Sequence, residues 1–237
     1  MNPLLFCVSA VRALGLVVMV GGILSACGGG GSSVPNGGKV AGPQFVYVAN
    51  RGSNNVSAYS IAANGALTPV PGSPFASSGN FPTSVTVNPA GTFAYVSNEG
   101  NIIISPKNNV SAYSIGANGA LTPVAGSPFA AGGYPTSVSI NPAGTFAYVS
   151  NSGSNNVSAY SIGANGALTP VPGSPFAAGT GPTSVTVNPA GTFAYVANNG
   201  SNNISAYSIG ANGALTPVAV SPFVAGNLPT SVVVAQP

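Results

Sequence analysis

Residues 157–218 read VSAYSIGANGALTPVPGSPFAAGTGPTSVTVNPAGTFAYVANNGSNNISAYSIGANGALTPV, and this stretch decides the fold. Val157, Ala159 and Ser161 alternate with Ser158, Tyr160 and Ile162, and Val185 and Val187 alternate with Ser184, Thr186 and Asn188. A period of two marks strands, not helices. Asn165-Gly166 between two such runs predicts a two-residue hairpin turn with positive φ. Asn188-Pro189-Ala190-Gly191 places Asn, Pro and Gly where a type I turn favours them. The stretch therefore contains four short strands: a (Thr183 to Asn188), b (Phe193 to Ala197), c (Ile204 to Ile209) and d (Ala214 to Val218). Pro217 deletes a ladder hydrogen bond, which only an edge strand tolerates. Strand d is therefore outermost and strand a innermost.

Outward from this stretch the pattern repeats. Tyr47, Tyr95, Tyr148 and Tyr195 recur at one position of it, and Phe75, Phe129, Phe176 and Phe223 at another. A period near 50 residues built of strands predicts propeller blades. The repeats run approximately 44–92, 93–145, 146–192 and 193–237. The folded part opens with strand b at Phe45 and finishes with strand a at Thr230 to Val234. The expectation is thus an all-β propeller of four four-stranded blades, its ring closed by the C-terminal strand.

Composition excludes several functions. Of 237 residues only 2% are charged: Arg12, Lys39, Arg51 and Lys107 face one acid, Glu99, and there is no His or Asp. Nucleic acid needs clustered cations, and a metal site needs several carboxylates, His or Cys. Neither a metal nor a cofactor is expected.

The N-terminus carries an address. Arg12 precedes an apolar run, Ala13 to Ile23, too short for a permanent membrane span. Leu24-Ser25-Ala26-Cys27, with Gly28 to Gly31 and Ser32-Ser33 directly after it, resembles the lipobox and tether of bacterial lipoproteins. The resemblance implies a signal peptide over 1–26, cleavage before Cys27 and lipid on Cys27, which would attach the chain to a membrane. Residues 27–43 then form a Gly/Ser-rich tether reaching on the order of 20 Å, and 44–237 the propeller. Gly28 after the cysteine favours the outer membrane or cell surface of a Gram-negative envelope. With Cys7 lost and Cys27 lipidated, no intrachain disulfide remains.

Tyr-Val-Ser-Asn, Asn-Asn-Val-Ser-Ala-Tyr-Ser-Ile, Gly-Ala-Leu-Thr-Pro-Val, Ser-Pro-Phe and Pro-Thr-Ser-Val-Thr-Val-Asn-Pro-Ala-Gly resemble the YVTN and lactonase-type β-propeller family across residues 44–237. The resemblance implies 6-phosphogluconolactonase-like relatives, usually with seven blades. Four repeats depart from that number: the ring closes with four, or two chains share a larger ring, or the array is shortened. The near-identical blades make exchange between chains, and so a homodimer, a natural partner state.

The repeats supply an internal control: residues that all copies share build a blade, and residues that differ can carry function. The shared Phe75, Phe129, Phe176 and Phe223 read as packing between blades, and Tyr59, Tyr113, Tyr160 and Tyr207 as core or cross-strand packing. The Asn-Val-Ser and Asn-Ile-Ser triplets match the glycosylation acceptor pattern but read here as loop and strand-start residues. The copies differ at Arg51, Glu99, Ser152 and Asn199 in the b–c loop, which the second copy lengthens with 101–107, including Ile102 to Ile104. They differ again before strand a, at Phe81, Tyr134, Gly181 and Leu228. Antiparallel order places both sets at one end of the propeller, around the channel mouth, where a glycan or protein could dock. Phe81, Tyr134, Leu228, Arg51 and Glu99 are the candidate binding residues; side chains that simply fill a narrow channel are the plainer reading.

A lactonase needs an activated water and a stabilised oxyanion. Only Glu99 and Arg51 are on hand, on neighbouring blades where they can face each other, and no catalytic residue carries over from the family. The residues alone point to an exported, lipid-anchored envelope propeller acting as a non-catalytic binding or structural module. The alternative, from the resemblance, is a lactonase-like hydrolase.

Overall fold

The structure is a computed structural model describing residues 42–100 and 108–236. Nothing among them is helical. The leader, Cys27, the tether up to residue 41 and the inserted 101–107 lie outside the described residues.

The first sheet holds β1 (Gln44–Asn50), β2 (Asn55–Ile61), β3 (Leu67–Pro69) and β4 (Phe75–Ala76). The second holds β5 (Pro82–Val87), β6 (Phe93–Asn98), β7 (Asn109–Ile115), β8 (Leu121–Pro123) and β9 (Phe129–Ala130). The third repeats this as β10 (Pro135–Ile140), β11 (Phe146–Asn151), β12 (Asn156–Ile162), β13 (Leu168–Pro170) and β14 (Phe176–Ala177). The fourth comprises β15 (Pro182–Val187), β16 (Phe193–Asn198), β17 (Asn203–Ile209), β18 (Leu215–Pro217) and β19 (Phe223–Val224). The last three are antiparallel meanders in a-b-c-d order, the first has b, c and d alone, and the fold is an all-β propeller of repeated four-stranded blades. The outer strand comes in two pieces, both paired with strand c. Pro217 ends the first piece at the sheet edge, where its missing N–H costs nothing.

Two turns can be compared with their sequences. Asn188-Pro189-Ala190-Gly191 closes as expected, with Gly191 N–H donating to Asn188 O at 2.8 Å, while the Asn188 side chain accepts from Thr192 and Phe193 N–H. The Asn-Gly hairpin is longer than two residues. Gly166 N–H donates to Gly163 O and Gly163 N–H to Ala167 O. Only Gly166 has positive φ (80°). Asn165 instead accepts from Ala167 N–H. This is a type I turn with a left-handed glycine after it. Gly166 is also needed for space, because a Cβ there would collide with the Phe93 ring of the preceding blade.

The core lies between blades. One buried cluster joins Tyr95, Val110 and Ala112 of the second blade to Val138, Ala147, Val149 and Tyr160 of the third, with Phe129 against it. A second joins Tyr148, Val157 and Ala159 to Val185, Ala194, Val196 and Tyr207, with Phe176 against it. A third joins Val56 to Ala94, Val96, Tyr113 and Leu121, with Phe75 against it. Phe75, Phe129 and Phe176 therefore pack between blades, as the repeat pattern implied, whereas Phe223 is 42% exposed and packs in none of these clusters.

Ring closure by the C-terminal strand is not what the structure has. Residues 229–234 form no ladder with β1, and the first sheet runs β1-β2-β3 with no inner strand. The segment lies beside β15 instead, with Thr183 Oγ1 donating to Pro229 O at 3.0 Å and Val232 N–H to Ser184 Oγ at 3.3 Å. It occupies the inner position of a further blade, because successive inner strands are joined this way throughout: Thr83 Oγ1 donates to Pro135 O and Thr136 Oγ1 to Pro182 O. The four sheets succeed one another without the last meeting the first.

Candidate functional site

The b–c loops and the linkers before strand a do share one end. Glu99 N–H donates to Phe81 O at 3.0 Å, Ser152 N–H to Tyr134 O at 2.9 Å and Asn199 N–H to Gly181 O at 2.9 Å. The two sets of variable positions are therefore hydrogen-bonded to each other, blade by blade. The described residues close no channel around them, since the array is open.

Three candidates meet. Arg51 follows β1, Glu99 follows β6 and Phe81 precedes β5. The Arg51 Nε and NH2 groups donate to one carboxylate oxygen, Glu99 Oε2, at 3.1 and 2.6 Å. The guanidinium carbon stands 5.1 Å from the centre of the Phe81 ring. Side-chain exposure is 61% for Arg51 and 26% for Glu99. An exposed pair of this kind contributes about 0–1 kcal/mol and the ring contact about 0.5–1 kcal/mol. Among the described residues no group bonds Glu99 Oε1.

Tyr134 and Leu228 stand at the matching places on later blades and do not join this cluster. The Tyr134 ring covers Gly153, and Leu228 is 63% exposed. What unites Phe81, Tyr134 and Leu228 is backbone strain, with φ of 52°, 53° and 50°. A residue before proline is normally extended, and a left-handed non-glycine costs on the order of 1–3 kcal/mol. The third copy places Gly181 here at φ 62°. The position thus accepts glycine, yet three copies hold a bulky apolar side chain in spite of the strain.

The strained backbone is clamped by asparagines. Phe81 N–H donates to Asn54 Oδ1 at 2.7 Å, Tyr134 to Asn108 at 3.1 Å, Gly181 to Asn155 at 2.8 Å and Leu228 to Asn202 at 2.7 Å. These asparagines escape a search for differences between copies because they recur in every copy. The signal available in sequence is the Asn-Asn pair, preceded by Gly-Ser in three of the copies, whose first asparagine stands 26 or 27 residues before the residue that precedes the next proline. Ile102 to Ile104 and Lys107 lie outside the described residues.

A sizeable cavity among the described residues lies elsewhere. It measures about 580 Å³ and is lined by Gln44, Phe45, Tyr47, Val87, Gly91 and Ile115 among others. It opens at the far end of β1 from Arg51. Among the described residues no cluster of His, Cys, Asp or Glu could hold a metal ion. Buried phenols are the perturbed titrating groups: burial pushes Tyr95 and Tyr148 up to about 12. They serve packing, since Tyr95 donates to Gly166 O at 3.0 Å and Tyr148 to Gly213 O at 3.1 Å.

Fold and site define a repeat propeller with one charged, aromatic-backed cluster at its loop end. The chain belongs to the lactonase family of seven-bladed β-propellers, whose model matches residues 40–125, 69–178 and 106–234. The overlapping matches arise from near-identical blades. Among solved structures, a functionally unknown protein from Desulfotomaculum acetoxidans is 21% identical, with TM-score 0.66, covering 81% of this chain and 56% of its own. A proposed 6-phosphogluconolactonase from Bacteroides uniformis is 19% identical, with TM-score 0.68, covering 78% of this chain and 53% of its own. The periplasmic gluconolactonase of Pseudomonas aeruginosa is 20% identical, with TM-score 0.60, covering 78% of this chain and 52% of its own. The chain thus spans just over half the length of these structures. Comparison with curated protein sequences gives no match.

Proposed function

We propose that the chain acts on a sugar-lactone type of ligand at the Arg51–Glu99–Phe81 cluster, as a lactonase-like hydrolase. The carrying observation is that cluster, which joins a cation, a carboxylate with one oxygen open among the described residues, and an aromatic face. Phe81 offers its ring to the apolar face of a sugar. Arg51 donates to the lactone carbonyl, where negative charge develops. Glu99 takes a proton from water as the oxygen adds to the carbonyl carbon; the ring C–O bond then breaks, and the proton passes to the leaving alkoxide. The product is the open hydroxy acid. Family membership supports this reading over a purely structural role.

A second reading is favoured by the absence of His and Asp from the chain. With no side chain of ordinary pKa near neutrality, the same cluster can bind such a ligand without opening it. Lactone ring-opening, tracked by acid release together with calorimetric binding of the lactone and its acid, separates the two. The hydrolase reading expects Glu99→Gln to lose ring-opening by at least tenfold while keeping binding, and Arg51→Ala to weaken both. Binding without turnover by the unaltered chain leaves the non-catalytic module, and neither binding nor turnover overturns both.

We further propose export and anchoring through lipid on Cys27 at the outer membrane or cell surface, supported by the Leu24 to Cys27 motif. Fatty-acid labelling lost in Cys27→Ser is the expected result.

A further inference from the structure

One set of contacts joins neighbouring blades at every internal seam, and half of each contact in that set is left over at either end of the array. Tyr47, Tyr95 and Tyr148 donate to the hairpin carbonyls of the next blade, Gly119, Gly166 and Gly213. The fourth, Tyr195, has no hydrogen-bond partner among the described residues, and neither does the matching carbonyl of Gly65. Phe45, Phe93 and Phe146 lie against the same glycines, whereas Phe193 is 38% exposed and a Cβ added at Gly65 would meet nothing within 4 Å. In the other direction, Tyr113, Tyr160 and Tyr207 donate to Ala76, Ala130 and Ala177 of the preceding blade. Tyr59 has no such partner among the described residues, and Val224, which matches those alanines, is 93% exposed. Leu121, Leu168 and Leu215 are about 5% exposed, while their counterpart Leu67 is 50% exposed.

The strands are complementary as well. The first sheet lacks an inner strand, and residues 229–234, Pro-Thr-Ser-Val-Val-Val, match Pro-Thr-Ser-Val-Thr-Val of β5 and β15 but have no sheet to join. The 580 Å³ cavity beside β1 is the space such a strand would fill. At later seams Pro89 and Pro142, which come after β5 and β10, lie against Gly144 and Gly191, whereas a Cβ added at the equivalent Gly91 would meet nothing within 4 Å. A second cavity of about 570 Å³, lined by Gln44, Ile61, Ala62 and Gly65, lies where the Phe193 ring would go.

We infer that the partner is a second copy of this chain, joined head to tail at two equal seams into an eight-bladed ring. In each seam residues 229–234 of one copy complete the first sheet of the other. The repeat sets the register: Val185 faces Val196 and Val187 faces Ala194, so Val232 faces Val48 and Val234 faces Val46. Tyr195 then donates to Gly65 O, Tyr59 to Val224 O, and Thr230 Oγ1 to Pro82 O. A heterologous contact closes when its rotation divides the circle. Blades are related by about 51° in a ring of seven and about 45° in a ring of eight, both within the known range of propellers. The structure superposes on just over half of two longer propellers, so its curvature suits part of a larger ring better than a ring of four. The seam also reaches the candidate site. Glu99 N–H bonds Phe81 O within its own blade, so Arg51 N–H meets the Leu228 carbonyl of the second copy.

The test uses the full chain in a non-ionic detergent. Light scattering is expected to give a protein mass twice that of one chain. Val48→Cys and Val232→Cys chains with different tags, both in a Cys7→Ser, Cys27→Ser background, are co-expressed and oxidised, and a mixed-tag disulfide dimer is expected. Gly65→Ala carries the strain of its left-handed φ of 82° with or without the seam but crowds Phe193 only if the seam forms, so it is expected to weaken association at least tenfold while the far-ultraviolet spectrum stays unchanged. A particle of one chain's mass overturns the inference, whether a chain bearing both cysteines closes an internal disulfide or leaves them free. Open polymers of many chains overturn it too, because they show that the seams mate without closing.

Discussion

Asn151 and Asn198 each bury a side-chain carbonyl oxygen that has no hydrogen-bond donor, while Asn98, at the same place on the second blade, does not. The difference is one atom on the preceding blade. Ser77 Oγ donates to Asn98 Oδ1 at 2.6 Å, and the residues matching Ser77 are Ala131 and Ala178. The amide nitrogens are alike in all three: Asn98 donates to Asn109 and Ser111, Asn151 to Asn156 and Ser158, and Asn198 to Asn203 and Ser205. Only the acceptor side differs. A buried acceptor without a donor costs about 1–3 kcal/mol, and a made hydrogen bond contributes about 0.5–1.5 kcal/mol net. Ala178→Ser must bring its own hydroxyl into a half-buried place, so the gain is about 1 kcal/mol, and Ser77→Ala is expected to lose about 1–2 kcal/mol. In a folded part of this size, 1 kcal/mol moves Tm by roughly 2–4 °C. Ala131→Ser combined with Ala178→Ser sits at two separate seams, so the gains should add. Differential scanning calorimetry of these three variants and of Ala131→Ser alone, with exposed Ala63→Ser as control, measures this. If Ala178→Ser leaves Tm where it was and Ser77→Ala does not lower it, the asparagine oxygens are not short of a donor and the reasoning fails.

The same geometry sets other outcomes. Tyr95 and Tyr148 hold their protons up to about pH 12 in the folded chain against 10.0 for an ordinary phenol. A folded-state value above the unfolded one gives stability that is complete below pH 10 and lost as pH rises through it toward 12. Urea midpoints should therefore fall over that window, and in Tyr95→Phe with Tyr148→Phe they should fall less. Phenolate absorbance near pH 10 that the folded chain shows and the double Tyr→Phe variant lacks would count against burial as the cause. Leu228→Gly, at an exposed left-handed position, should relieve strain and stabilise by about 1 kcal/mol, read as a rise in Tm. Gly166→Ala should lose more than about 2 kcal/mol, because it adds backbone strain to a collision with Phe93, and a loss under about 1 kcal/mol would show that the ring moves aside.

The blade is legible in the sequence because its information is local. Alternation over Val157 to Ile162, the Asn188 to Gly191 turn and Pro217 at an edge each act within a few residues, and repetition multiplies a weak signal. The site is half legible: comparing copies picks out Arg51, Glu99 and Phe81, and these do meet. That Tyr134 and Leu228 stay apart from them is not, because equivalent positions on successive blades are separated by the blade spacing. The asparagine clamp is hidden for the opposite reason, since identity among copies looks the same whether a residue builds the scaffold or braces the site. Ring closure is not legible, because counting strands says nothing of the angle between blades. That angle is set by how far Phe45, Tyr47 and their counterparts reach into the next hairpin.

The same logic explains why the two ends of the array differ from its middle in side-chain environment but not in sequence. Phe193 and Phe93, or Leu67 and Leu168, occupy equivalent places in equivalent motifs, and each is solvated or buried solely according to whether a neighbouring blade covers it. In a repeat protein each interface stabilises its two neighbours alone, and terminal repeats usually change their outer residues to polar ones. Neither terminal blade here does so: Leu67, Val48, Phe193, Val220, Val224 and Val233 remain apolar and exposed. With Glu99 as the only acid and few cations in the whole chain, no charge guards these faces against association. Burying them on a copy of the opposite face removes the exposed apolar surface and pairs the idle strand in one step, without any residue that is not already in the sequence.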